Sequence, residues 1–117
     1  MSHPGFSRPP IGKGDADVFV HSLHLITDRH PALLDAVAAA LDGGVDWIQV
    51  RAKAAPALEV WEIASAAAEL TRRRGAGLIV NDRVDVACAA GADGVHVGQD
   101  DLPAEVARQL LGPGAWI

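Results

Sequence analysis

A short apolar run, a helical period, a glycine stop and then the same again: this alternation limits the chain's possible folds more than any other feature. Leu23-His24-Leu25-Ile26-Thr27 reads as a strand with a polar exit at Thr27-Asp28. Leu33, Leu34, Val37, Ala38 and Leu41 then recur at helical spacing, with Pro31 at the first turn and Gly43-Gly44 as the stop. Trp47-Ile48-Gln49-Val50-Arg51 is the second strand. Pro56 opens a helix carrying Leu58, Trp61, Ala64, Ala68 and Leu70. Arg72, Arg73 and Arg74 occupy its last turn, where cations favour the negative end of the helix dipole, and Gly75 closes it. The third unit is Leu78-Ile79-Val80, then a short helix from about Val84 to Ala90 and a stop at Gly91. The fourth is Val95-His96-Val97, then a helix from Pro103 through Val106, Leu110 and Leu111 to Gly112. Ala115-Trp116-Ile117 opens like a fifth strand.

Strand and helix in alternation predict an α/β fold with a parallel sheet and right-handed crossovers. Periodicity admits either an open doubly wound sheet or a closed barrel. One internal echo suits a barrel of repeated βα units. Gly44-Val45-Asp46-Trp47-Ile48 resembles Gly91-Ala92-Asp93-Gly94-Val95, and each leads into a strand, two units apart. Residues 1–17, rich in Pro and Gly and without an apolar signal core, read as a flexible tail before a domain at 18–117.

Half of the 117 residues are apolar, enough for one core. A net charge of −5 argues against non-specific nucleic-acid binding, which needs basic surface. Cys88 is the single cysteine, so no intrachain disulfide forms and a reducing cytoplasm is expected. No apolar run approaches the roughly 20 residues of a membrane span.

Polar clusters follow the apolar runs. In a regular strand Trp47, Gln49, Arg51 and Lys53 share one face, and Ile48 and Val50 face the helices. Arg offers a planar fork to phosphate oxygens and Lys a mobile point charge. The plain alternative is a strand end kept soluble by its charges. Asn81-Asp82 lies at the third exit and Asp100-Asp101 at the fourth. Parallel neighbours lie about 4.8 Å apart, so acids at adjacent exits can share one Mg²⁺, a hard ion content with few protein oxygens. The plain alternative is helix capping, for which Asp101 before Leu102-Pro103 is well placed. His24 and His96 read as packed or hydrogen-bonded strand residues. Cys88 reads as a buried small residue, and Arg72 to Arg74 as a solvated helix end. No nucleophile with an adjacent base is recognisable, and no Walker or dinucleotide glycine loop.

At these residues the chain resembles thiamine-phosphate synthases, which are (β/α)₈ TIM barrels. The resemblance rests on Leu25-Ile26-Thr27-Asp28, Gln49-Val50-Arg51-Ala52-Lys53, Val80-Asn81-Asp82-Arg83-Val84-Asp85 and Gly91-Ala92-Asp93-Gly94-Val95-His96-Val97-Gly98-Gln99. It runs from about Leu23 to Ile117. Ala52 departs from the glutamate common in the family, at a position expected to point away from the pocket. The resemblance implies condensation of an aminopyrimidine methyl diphosphate with a thiazole phosphate, giving thiamine phosphate and diphosphate by a dissociative, Mg²⁺-dependent route. It assigns Gln49, Arg51, Lys53 and Asn81 to the pyrimidine diphosphate, and Asp82 and Asp101 to Mg²⁺. A thiazole tautomerase-like paralogue is the near alternative, but that group usually lacks the aspartate of the Asn-Asp pair.

Four βα units and the start of a fifth strand make half a barrel, whereas a complete one takes more than about 200 residues. The resemblance implies a thiazole-phosphate site beyond Ile117. The chain by itself is expected to expose two sheet edges and to fold poorly or self-associate. A catalytically silent, phosphate-binding or self-associating fragment is the alternative to an enzyme.

Overall fold

The computed structural model describes residues 22–117. The expected tail at 1–17 and the apolar Val18-Phe19-Val20 lie outside the described residues. Strands β1 (His24–Ile26), β2 (Trp47–Val50), β3 (Gly77–Asn81) and β4 (Gly94–His96) alternate with helices α1 (Leu33–Asp42), α2 (Ala57–Arg74), α3 (Val84–Ala90) and α4 (Ala104–Leu111). The strands are all parallel and stand side by side in chain order. Gly94 forms a further parallel bridge to Trp116, so the chain's last residues continue the same order.

That order decides between the two architectures left open by periodicity. A doubly wound sheet reverses its strand order and covers both faces with helices. Here the order never reverses among the described residues. One strand face carries Ile48, Val50, Leu78, Val80 and Val95, and these pack against residues from all four helices. The chain therefore has the α/β fold of a partial TIM barrel, with helices outside and the other sheet face inside.

The helices differ from expectation in which residues they bury. In α2 the inward stripe is Val60, Ala64, Ala67, Ala68 and Thr71, whereas Leu58 is 65% and Trp61 42% exposed. Alanines let α2 lie close to the sheet between α1 and α3, and Leu58 falls on the far side. Leu110 is likewise exposed on α4, where Ala107 is buried. Cys88 is exposed rather than buried. It faces a groove of about 510 Å³ left between α3 and the side chains of Leu102 and Leu110. Gly43 ends α1 in helical geometry, and Gly44, at φ 98°, takes the left-handed turn. The helix of residues 33–42 also starts two residues after Pro31.

The sequence echo is a structural repeat. Asp46 accepts the Leu23 N–H at 2.9 Å, and Asp93 accepts the Leu78 N–H at 2.7 Å. Each aspartate precedes its strand and ties it to the start of the previous one. The repeats then differ in bulk. On the inner face the Trp47 indole lies over Gly77, which has no Cβ to obstruct it. In the second repeat Gly94 is the small partner and Trp116 the large one. His24 stacks on Trp47 at 5.9 Å, and Trp47 meets Trp116 edge-on at 5.5 Å, so the lower inner face is an aromatic row.

Candidate active site

At the opposite, C-terminal end of the strands the inner face turns polar. Asn81 is the last residue of β3 and stands beside His96 of β4 in register. Gln49 of β2 lies diagonally across from Asn81, within side-chain reach on the same face. Asn81 Nδ2 donates to Gln49 Oε1 at 3.0 Å and lies 3.0 Å from His96 Nδ1. Three strands thus contribute to one hydrogen-bonded row.

The loops after the strands carry the charges. Asp82 adopts left-handed backbone at φ 70°, a region that Asp tolerates better than most residues. Its N–H donates to the His96 carbonyl at 2.8 Å, which pins the β3 exit to β4. Asp101 accepts the Gly98 N–H at 2.7 Å and closes the loop after β4. The capping alternative is not what the structure shows. Arg83 and Pro103 occupy the N-cap positions of α3 and α4, and neither helix receives a side-chain cap.

Asp82 and Asp101 are instead in contact with each other. The hydrogen bond that the Asp82 carboxyl makes to Asp101, partial burial and the repulsion of the Asp101 charge push the Asp82 carboxyl above its usual range. The same hydrogen bond, together with the one from Gly98, holds Asp101 below that range. Each carboxyl therefore titrates under the influence of the other. Lys53 acts on both acids, lowering each. Arg83 is bound by both guanidinium arms to Asp85, at 2.7 and 3.1 Å, which raises Arg83 and lowers Asp85.

Strand alternation does not extend to Lys53. β2 ends at Val50, and the following turn passes through left-handed Ala54 at φ 65°. Lys53 reaches the acids because this turn folds over β3. Ala52 packs against the helix-side core around Val60 and Val80. With Lys53, Ala54, Asn81, Asp82 and Arg83 it lines a cleft of about 120 Å³. Arg51 leaves toward β1 and pairs with Asp28 at 3.4 Å. The structure therefore unites Gln49 with Asn81, and Lys53 with Asp82 and Asp101, while Arg51 stands engaged at the β1 exit.

A family model for thiamine monophosphate synthase matches residues 23–117. The chain belongs to that family. It is 54% identical over 95 residues to a thiamine-phosphate synthase of Roseiflexus sp., a match covering 78% of this chain and 40% of that protein. It is 58% identical over 80 residues to the Moorella thermoacetica enzyme of the same name, covering 68% and 38%. A solved thiamine phosphate pyrophosphorylase from Pyrococcus furiosus superposes with a TM-score of 0.74 at 45% identity, covering 80% of this chain and 46% of that one. The chain thus spans less than half the length of these synthase relatives.

Two residues stand closer to the predicted groups than their spacing announces. His96 was expected to be packed or hydrogen-bonded, and its partner is Asn81. Asp28 pairs with Arg51 across 23 positions of chain. Strand register supplies the signal for His96. For Asp28 only the three-dimensional meeting of two exits reveals it.

Proposed function

We propose that this chain supplies the pyrimidine-diphosphate and metal-binding part of a thiamine-phosphate synthase site. The reaction joins an aminopyrimidine methyl diphosphate to a thiazole phosphate and yields thiamine phosphate and diphosphate. One observation carries the reading: the Asp82 and Asp101 carboxyls interact at neighbouring strand exits, with Lys53 beside them and the Gln49–Asn81 pair adjacent.

The donor set fits Mg²⁺. Two carboxylates held in contact are a like-charge pair, and a divalent ion relieves that repulsion as well as a proton does. No cluster of three or more His, Cys, Asp or Glu suited to a metal exists among the described residues. Mg²⁺ needs only one or two carboxylates when phosphate and water fill its remaining positions. Asp82 and Asp101 would hold it, and when bound it neutralises charge on the diphosphate.

Charge control is the task of the remaining residues. The bond between the pyrimidine methylene and the diphosphate oxygen breaks, with the electron pair leaving on diphosphate. The thiazole nitrogen lone pair then forms the new C–N bond. Lys53 and Arg51 stabilise the negative charge gathering on the leaving group, while Gln49 and Asn81 hold the pyrimidine diphosphate in place. The attacking atom belongs to the second substrate, so no side-chain nucleophile is required. A cytoplasmic location belongs to this reading and is supported by the single cysteine. No described helix is long and apolar enough to cross a membrane.

Diphosphate release from the two substrates with Mg²⁺ tests the proposal, on this chain and on one continuing past Ile117. Asp82→Ala is expected to abolish Mg²⁺-dependent turnover, and unchanged turnover would remove its metal role. Asp82 also favours the synthase over the tautomerase-like paralogue. Self-association is a second reading, favoured by β1, the edge strand among the described residues, flanked or formed by Leu23 and Ile26, each 59% exposed. Sedimentation of the chain at several concentrations distinguishes it from a silent monomer.

A further inference from the structure

We propose that His96 is a positioning residue that sets which way the Asn81 and Gln49 amides face. Only its effect on ligand binding rests on the function proposed above. The polarity of the hydrogen-bonded row stands by itself.

The argument is a proton count. The Asn81 amide nitrogen carries two hydrogens. One is used on Gln49 Oε1 and the other has His96 Nδ1 as its acceptor, both at 3.0 Å. A ring nitrogen that accepts carries a lone pair, so a neutral His96 keeps its proton on Nε2. With both Nδ2 hydrogens committed, Asn81 offers Oδ1 as its remaining acceptor. Gln49, with Oε1 engaged, offers the two hydrogens of Nε2. The row therefore presents an acceptor and a donor side by side to whatever occupies the site.

An amide without such an anchor can turn over at little cost, because its oxygen and nitrogen ends have the same shape. If His96 held its proton on Nδ1, Asn81 would have to present Oδ1 to the ring, and the whole row would reverse. The backbone fixes the position of the ring, since the His96 carbonyl accepts the Asp82 N–H and β4 is paired with β3 in register at Asn81.

Nitrogen NMR of the histidine-labelled chain at about pH 8, above the ordinary histidine range, reads the tautomer directly. Nε2–H is expected for His96, with the signal identified by its loss in His96→Asn. An Nδ1–H ring, or a rapid average of the two, overturns the inference. Calorimetric binding of the pyrimidine diphosphate supplies the second readout. His96→Ala is expected to weaken it by about tenfold, roughly the loss of one oriented hydrogen bond. His96→Asn, whose Oδ1 replaces Nδ1 as acceptor, is expected to restore affinity to within about threefold. Binding by His96→Ala equal to the parent's, or by His96→Asn as weak as the alanine variant's, refutes the positioning role. If the parent does not bind the diphosphate at all, the proposed function fails, and the tautomer alone decides this inference.

Discussion

Asp82 meets Asp101 across two loops: its carboxyl hydrogen-bonds to that of Asp101, and this bond, with partial burial, holds Asp82 above the ordinary aspartate range. The two residues are 19 positions apart in sequence. They meet because adjacent parallel strands end at the same level and each strand is followed by a short loop.

Removing one charge of this pair should stabilise the metal-free chain while disabling the site. Asp82 has a raised folded pKa, so its stabilising contribution is complete below the unfolded value, about 3.9, and is lost as pH rises through the folded one. Asp101 is lowered, so its contribution is present above the unfolded value and disappears as pH falls through the folded one. At pH 7 the Asp82 penalty remains. Asp82→Asn should therefore raise the urea midpoint at pH 7 and leave it nearly unchanged near pH 3. Mg²⁺ should raise the parent's midpoint more than the variant's. A lower midpoint at pH 7 would show that the pair is not repulsive.

If Arg51 binds diphosphate as proposed, Asp28 is its competitor. Their contact is long, at 3.4 Å, and about a third of the Arg51 side chain is exposed. Exposed pairs of this kind contribute at most about 1 kcal/mol. Asp28→Asn should release Arg51 and strengthen diphosphate binding by up to about fivefold. Weaker binding would instead make Asp28 a ligand in its own right.

Gly77 must remain small. A Cβ there would lie 2.5 Å from Cε3 of Trp47, on a ring held between His24 and Trp116. Gly77→Ala should cost about 1–3 kcal/mol in urea unfolding, the usual range for overpacking. Adding Trp47→Leu should recover part of that loss. Two independent, additive losses would mean that the ring is not the obstacle.

The repeated aspartates should differ in weight. Asp93 is buried and accepts the Leu78 N–H within the core, whereas the Asp46 bond to Leu23 is exposed. Hydrogen bonds to a charged group contribute about 1.5–3 kcal/mol when buried. Asp93→Ala should lose at least that much, and Asp46→Ala under about 1 kcal/mol. Equal losses in urea unfolding would contradict the difference in burial.

Much of the fold is legible from local residues. Gly75 and Gly91 close α2 and α3 in the left-handed turns expected of them, and the bounds of α3 fall at Val84 and Ala90 as spacing predicted. The site is less legible. Alternation places Gln49 on the inner face, within reach of Asn81, but it gives the wrong reason for Lys53, because β2 ends at Val50. Spacing offers capping and metal binding as rival roles for Asp82 and Asp101, and only their mutual contact, with other residues at the N-caps, counts against capping.

By itself, then, the sequence determined the order and kind of elements, the parallel sheet and the polar residues at strand exits. These follow from period, from proline and glycine geometry and from crossover handedness, all of which act over a few residues or a single βα unit. The tertiary structure decided the strand order, the outward-facing Leu58 and Cys88, the turn of Lys53 over β3 and the meeting of Asp82 with Asp101. Each of those depends on register and loop conformation between segments distant in the chain, where no local preference reaches.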